Sequence, residues 1–311
     1  YLKEFLRNTS MYSQWDDHEV INDFGSNWPY WNLFNVNREG YPNIVKEGRN
    51  AFLNYSPLDG YNNNDTGNDR DKHIYRSFNW GKDLDLFLID ARSYRSQNHL
   101  ADTPDSNKTM LGDNQLEWLK QGLSNSNATW KIISSDVPMS IPAGSNTSIL
   151  GTDGWANGNE TTNYSYYTGF ERELTDLLRF IEDQGIKNIV FITTDVHFPA
   201  FIKYDFDLNN DGNVTELYEL ISGPLSAFRT TSLADALRLG LPFPKIDGTF
   251  NPSLLYGEGD IFNFGYVRIE DGRGEDRDNN NNSSGKPHLI AEIRDEKGIV
   301  RPGSTLDLIP Q

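Results

Sequence analysis

Trp15-Asp16-Asp17-His18-Glu19, with Asn22-Asp23 close behind, is an oxygen-and-imidazole cluster of the kind that holds hard or borderline metal ions. Alone, such an acidic run is as readily a solvated turn. Its counterpart lies far downstream. Asp195-Val196-His197 follows the apolar run Ile189-Val190-Phe191-Ile192, which reads as a buried strand. If that strand continues, residues 195 and 197 point the same way, so a carboxylate and an imidazole leave its C-terminal end together. The competing reading of this pair is a capping Asp and a core His. Fold and function turn on whether the two clusters meet.

The chain between and beyond them alternates strand and helix. Residues 73–80 and 83–90 read as strands around a Gly81-Lys82 turn, and the second ends in Asp90-Ala91-Arg92. Residues 130–136 form another strand, ending in Asp136. Residues 115–123 and 170–184 have helical apolar spacing, and Gly185 stops the second. Met11 to Trp15 has strand character and would deliver Asp16 to a strand end. Residues 201–207 and 214–220 flank Asp207-Leu208-Asn209-Asn210-Asp211-Gly212 as a hairpin. That turn matches only the first half of a calcium loop, since its twelfth position is Tyr218. Residues 222–258 read as Pro- and Gly-bearing loop with a short helix near Ser232 to Leu239. Residues 288–294 and 298–306 close the chain as a second hairpin. The pattern predicts an α/β sandwich with polar chemistry at the strand ends, at Asp16–His18, Asp90/Arg92, Asp136 and Asp195/His197. Asp90, Arg92 and Arg95 form a structural ion pair on one reading. On the other, the Arg92 guanidinium fork takes a substrate phosphate. Carboxylates with imidazoles suit a two-metal hydrolase, in which the ions clamp a phosphoryl oxygen and activate a water.

With 311 residues there is material for one large α/β domain or two modest ones. The net charge of -17 repels nucleic-acid backbones and anionic membranes at long range, so a phosphate substrate would need local cations. No cysteine is present, which excludes disulfides, thiolate catalysis and Cys-ligated metals. No apolar run is long enough to span a membrane. Asn-x-Ser/Thr sequons recur, at Asn64, Asn127 and Asn159 among others, and fit an exported protein.

Taken in order, Trp15-Asp16-Asp17-His18-Glu19 with Asn22, Leu88-Ile89-Asp90-Ala91-Arg92-Ser93-Tyr94-Arg95, Leu111-Gly112-Asp113-Asn114-Gln115-Leu116-Glu117-Trp118-Leu119 and Thr194-Asp195-Val196-His197 resemble the PhoD-like alkaline phosphatases. These belong to the calcineurin-like metallophosphatase superfamily. Glu219 to Pro224 and Gly265-Tyr266 resemble later segments of the family, so the likeness covers most of the chain. It implies a four-layer α/β/β/α metallophosphatase sandwich, one domain over residues 1–311, and a dinuclear centre of iron with calcium. The implied substrates are small-molecule phosphate mono- or diesters, met in a secreted, periplasmic or cell-surface setting. The resemblance makes Asp17, Asp195 and His197 metal ligands, Asp16 a ligand or its orienter, and His18 the acid at the leaving oxygen. The family also draws an Asp and a Tyr from an early Gly-Asp-x-x-Tyr-type motif, which residues 1–14 do not carry. The expectation is therefore an N-terminally incomplete domain that binds one metal poorly and is inactive alone. A phospholipase D-type or nucleotide phosphodiesterase on the same fold, and a non-catalytic calcium-stabilised binding protein, are the competing functions.

Overall fold

The computed structural model describes residues 2–25, 41–56, 58, 73–141, 153–156, 169–230, 251–271 and 285–311. The helix expected near Ser232 to Leu239 lies outside them, as do the aromatics Trp28, Tyr30 and Trp31. Two helices come first, α1 (Leu2–Asn8) and α2 (Tyr41–Tyr55). Seven strands then form one mixed sheet: β1 (Arg76–Trp80), β2 (Leu84–Leu88), β3 (Trp130–Ser134), β4 (Ile189–Thr193), β5 (Ala200–Phe206), β6 (Thr215–Ile221) and β7 (Asn251–Gly257). Their spatial order is β1-β2-β3-β4-β6-β5-β7, with β2, β3, β4 and β6 mutually parallel. Helices α3 (Gly112–Asn125) and α4 (Glu171–Asp183) make the crossovers from β2 to β3 and from β3 to β4. A second sheet holds β8 (Asn263–Asp271), β9 (Pro287–Asp295) and β10 (Leu306–Leu308) in the order β10-β9-β8.

The two faces of the large sheet have different partners. One face sends Phe87, Ile133 and Phe191 against Leu119 and Leu123 of α3 and Leu174, Leu177, Leu178 and Ile181 of α4. The α4 residues are spaced on one stripe and are fully buried, each burial being worth roughly 2 kcal/mol. The other face sends Trp130, Ile132, Val190 and Leu220 against Leu289, Ala291 and Ile293 of the small sheet. Trp130 also donates its indole N–H to the Pro287 carbonyl (2.8 Å), tying the sheets together. Helices, large sheet and small sheet therefore stack in that order, a mixed α/β sandwich as expected.

Three local expectations change. Residues 11–15 are not a strand. The Gln14 side chain docks this segment instead, donating to the carbonyls of Ile89 and Ser134 (2.7 and 2.9 Å). Residues 251–257, within the expected loop, form β7. It carries Pro252, which an edge strand tolerates because one of its sides needs no ladder partner. The final hairpin keeps its first arm as β9, while its second arm is reduced to a bridge from Val300 to Arg294 and the short β10.

Close helix–sheet packing fixes one glycine. A Cβ on Gly122 of α3 would lie 2.6 Å from the Phe87 ring. Gly122→Ala gains about 1 kcal/mol of helix propensity, but overpacking of this kind costs about 1–3 kcal/mol. The expected result is a lowered thermal midpoint, read by circular dichroism; a raised midpoint would show that the ring yields freely.

Candidate metal centre

Parallel pairing sets Leu88, Ser134 and Ile192 at one level. Two residues beyond the ends of β2, β3 and β4 stand Asp90, Asp136 and Asp195, so the carboxyl edge of the sheet collects acids from three distant segments. The N-terminal cluster is brought to the same edge by a 3-10 turn over Asp17–Glu19. Asp16 caps that turn by accepting from the Asp17 N–H (2.9 Å), and Glu19 reaches back to the Asp16 N–H (2.6 Å), a capping box. Trp15, 1% exposed, packs on Phe24 and Phe52 and donates its indole N–H to Asp90 Oδ1 (2.9 Å). Apolar packing and one hydrogen bond thus seat the acidic turn against the strand ends.

The two sequence clusters meet. One oxygen each from Asp16, Asp17 and Asp195 lies within 4.8 Å of the others. Asp17 is 2% exposed and belongs to a second grouping of the same tightness with Asp23 and Asp153. Its Oδ2 accepts the Asp23 N–H (2.7 Å).

The delivery of Asp195 differs from the expected one. Strand β4 ends at Thr193, and both Asp195 and His197 sit in left-handed backbone (φ 75° and 62°). The alternation that would point them the same way has therefore stopped. Asp195 joins the acidic group, while the His197 ring stacks on Phe228 (centroids 4.0 Å apart). Its Nδ1 lies 2.6 Å from the Phe228 carbonyl, which can only accept, so Nδ1 donates and, in the neutral ring, Nε2 carries the lone pair. That tautomer is the one a carbonyl-oriented metal ligand adopts. His197 is not in either carboxylate grouping. His18 is exposed, and its Nε2 pairs with Asn22 Oδ1 (3.1 Å).

Arg92 stands in a buried structural ion network, as one of its readings had it, but with other partners. Its guanidinium is fully buried and faces Asp16 (2.7 Å), Asp136 (3.1 Å) and Asp153 (2.7 Å), and Nη1 also reaches the Phe24 carbonyl. With its donors so engaged it has no open face for a substrate phosphate. Nor is its charge partner Asp90. That carboxylate accepts from Trp15 and from the backbone N–H groups of Arg92 and Ser93, which shapes the turn. Arg95, also fully buried, pairs with Asp153 (2.5 Å).

Asp153 went unread in the sequence because it lies in a stretch with no periodicity. The one available signal was the buried-type tryptophan two residues on. Trp155 is fully buried, donates its backbone N–H to Pro138 and accepts from Phe170, which pins residues 153–156 to the core. Gln115, the first residue of the expected helix, has a second task. Its amide brackets Asp90, accepting from its N–H (2.7 Å) and donating to its carbonyl (2.9 Å).

Among the described residues, seven carboxylates (Asp16, Asp17, Asp23, Asp90, Asp136, Asp153 and Asp195) gather here around two guanidiniums, Arg92 and Arg95. The shortfall shows in their proton affinities. Burial raises Asp153, but Arg92 and Arg95 outweigh it and hold that acid at about 2. Burial pushes Asp136 up to about 8 against the pull of Arg92. It also pushes Asp16 up to about 6, with Arg92 opposing and Asp17 adding. Asp195 is raised well above the carboxylate range by burial and then by Asp153 and Asp16. Hard oxygen donors with unmet negative charge fit a hard cation held by Asp16, Asp17 and Asp195.

The fold is thus an α/β sandwich that gathers carboxylates at the ends of its parallel strands. The profile of the PhoD-like phosphatase family matches residues 1–275, and the chain belongs to that family. Alkaline phosphatase D of Bacillus subtilis (strain 168) is 26% identical over 193 residues, which are 59% of this chain and 30% of that protein. The solved structure of PhoD has the same fold, with a TM-score of 0.55 at 17% identity, covering 96% of this chain and 54% of that one. The chain thus spans about half, or less, of the length of the relatives it matches.

Proposed function

We propose that this chain is a metal-dependent phosphoesterase acting on small phosphate mono- or diesters. The observation that supports it most is the convergence of Asp16 and Asp17 with Asp195, within 4.8 Å, from opposite halves of the fold. Membership of a phosphatase family supports the same reading. Asp16, Asp17 and Asp195 would hold a calcium or iron ion, and His197 would offer Nε2 to a second. Such ions supply charge stabilisation at a phosphoryl oxygen and make water a competent nucleophile at neutral pH. The remaining work falls to the side chains. Arg92 holds Asp16 in place from beneath and does not touch substrate. His18 stands at the exposed rim of the acidic turn, oriented by Asn22 through Nε2. Its Nδ1 is the position from which a proton reaches the departing alkoxide. The recurring sequons support an exported enzyme, secreted, periplasmic or on the cell surface. No helix among the described residues is long and apolar enough to cross a membrane.

The test is turnover of p-nitrophenyl phosphate and its bis-ester with calcium and iron added. EDTA is expected to abolish it and re-addition of the ions to restore it. Metal-independent turnover, or metal bound stoichiometrically with no turnover of either ester, would overturn the proposal.

A further inference from the structure

After β6 the chain exposes two large apolar side chains, Leu225 and Phe228. Residues 225–229 follow β6 and the Gly223-Pro224 turn, which Asn263 brackets through both of its amide atoms. Leu225 and Phe228 are each 73% exposed. Phe228 nevertheless has a fixed position. One side of its ring lies on the His197 imidazole, with centroids 4.0 Å apart and planes 27° apart. Its carbonyl accepts from His197 Nδ1, and the Thr230 N–H donates to the His197 carbonyl (3.0 Å). His197 in turn stands two residues from Asp195, whose carboxylate is in the cation-binding group. The neighbouring charge is paired. Arg229 pairs with Asp260 (3.2 Å) and lies over the Phe262 ring.

We infer that Phe228 is a specificity-determining residue, an apolar ledge that receives the organic group of the ester and favours flat, uncharged aryl groups. This deepens the phosphoesterase reading and rests on it for the phosphoryl end of the ligand. The physical case is simple. A ring anchored on one face and open to water on the other gains by covering the open face with an apolar or aromatic group. The anchor means that little side-chain freedom is lost on binding. A phosphoryl group held at Asp195 would have the open face of the Phe228 ring within its neighbourhood, because His197, two residues on, carries that ring.

Binding of phenylphosphonate and methylphosphonate to the calcium-loaded protein, by titration calorimetry, tests this without turnover. The unmodified protein should prefer the phenyl compound by about tenfold, beyond which covering one ring face has little more to give. Phe228→Ala should bring that ratio close to unity, and Phe228→Leu should leave an intermediate ratio. The side chain is mostly exposed and its hydrogen bond is made by backbone, so both variants should fold, as circular dichroism would verify. An unchanged ratio in Phe228→Ala, equal binding by the unmodified protein, or no phosphonate binding would each overturn the ledge. Ring-dependent binding without turnover of any ester would instead leave the ledge standing and remove the phosphoesterase reading.

Discussion

Replacing Asp17 with Asn is expected to cut cation binding and phosphoesterase turnover by at least about 100-fold, more than the loss of an outer-shell partner commonly costs. Among the described residues, Asp17 is the carboxylate shared by both acidic groupings. The substitution should not unfold the turn. An amide oxygen can still accept the Asp23 N–H, and the Asp17 carbonyl still accepts from Val20 and Ile21. Removing one charge from a crowd of acids relieves repulsion, so in EDTA the variant should melt at or above the unmodified protein. Calcium should raise the melting point of the unmodified protein by mass action and leave that of the variant unmoved. Asp211→Asn, in the exposed turn between β5 and β6, controls for loss of one acid from an acidic protein. If Asp17→Asn keeps calcium-dependent stabilisation and activity, the cation site is elsewhere.

Arg92→Met should be the most destabilising single change at the centre. It leaves Asp16, Asp136 and Asp153 facing one another without their common counter-charge, and two of these are buried almost completely. Breaking a buried ion pair from one side costs about 3–5 kcal/mol, because the abandoned charge stays out of water. Urea unfolding should show a matching fall in midpoint at unchanged slope. Asp153→Asn in the same background should recover part of the loss, since it removes one of the stranded charges. That non-additivity marks groups in one network. Additive losses, or a cost below about 1 kcal/mol, would mean that the three acids are stabilised by something other than Arg92.

Much of this architecture could be read in the chain itself. The apolar runs of β2 and β4, the single stripe of α4 and the β5–β6 hairpin are local patterns, and each formed where expected. The edge strand β7 was not legible, because Asn251, Pro252 and Gly257 carry the composition of a loop. Its strand character comes from pairing with β5, which is a property of the neighbour. The expected strand at residues 11–15 failed for the converse reason. Its pattern was right, but a side chain, Gln14, occupies the strand-end carbonyls where backbone pairing was expected.

At the site, residue type singled out Asp16, Asp17, His18, Asp195 and His197 as candidates and the family resemblance supplied their expected roles, while folding brings Asp16, Asp17 and Asp195 within 4.8 Å of one another. What Arg92 does, and that Asp153 takes part at all, was decided only in three dimensions. A guanidinium's role depends on whether water or carboxylates surround it, and its partners come from residues 16, 136 and 153, which no local pattern links. The split between Asp195 and His197 was likewise tertiary. Their left-handed backbone breaks the strand alternation, and the Phe228 ring and carbonyl fix the imidazole. Periodicity governs groups that share one element; the electrostatics of a buried centre are set by chain ends that only folding brings within range.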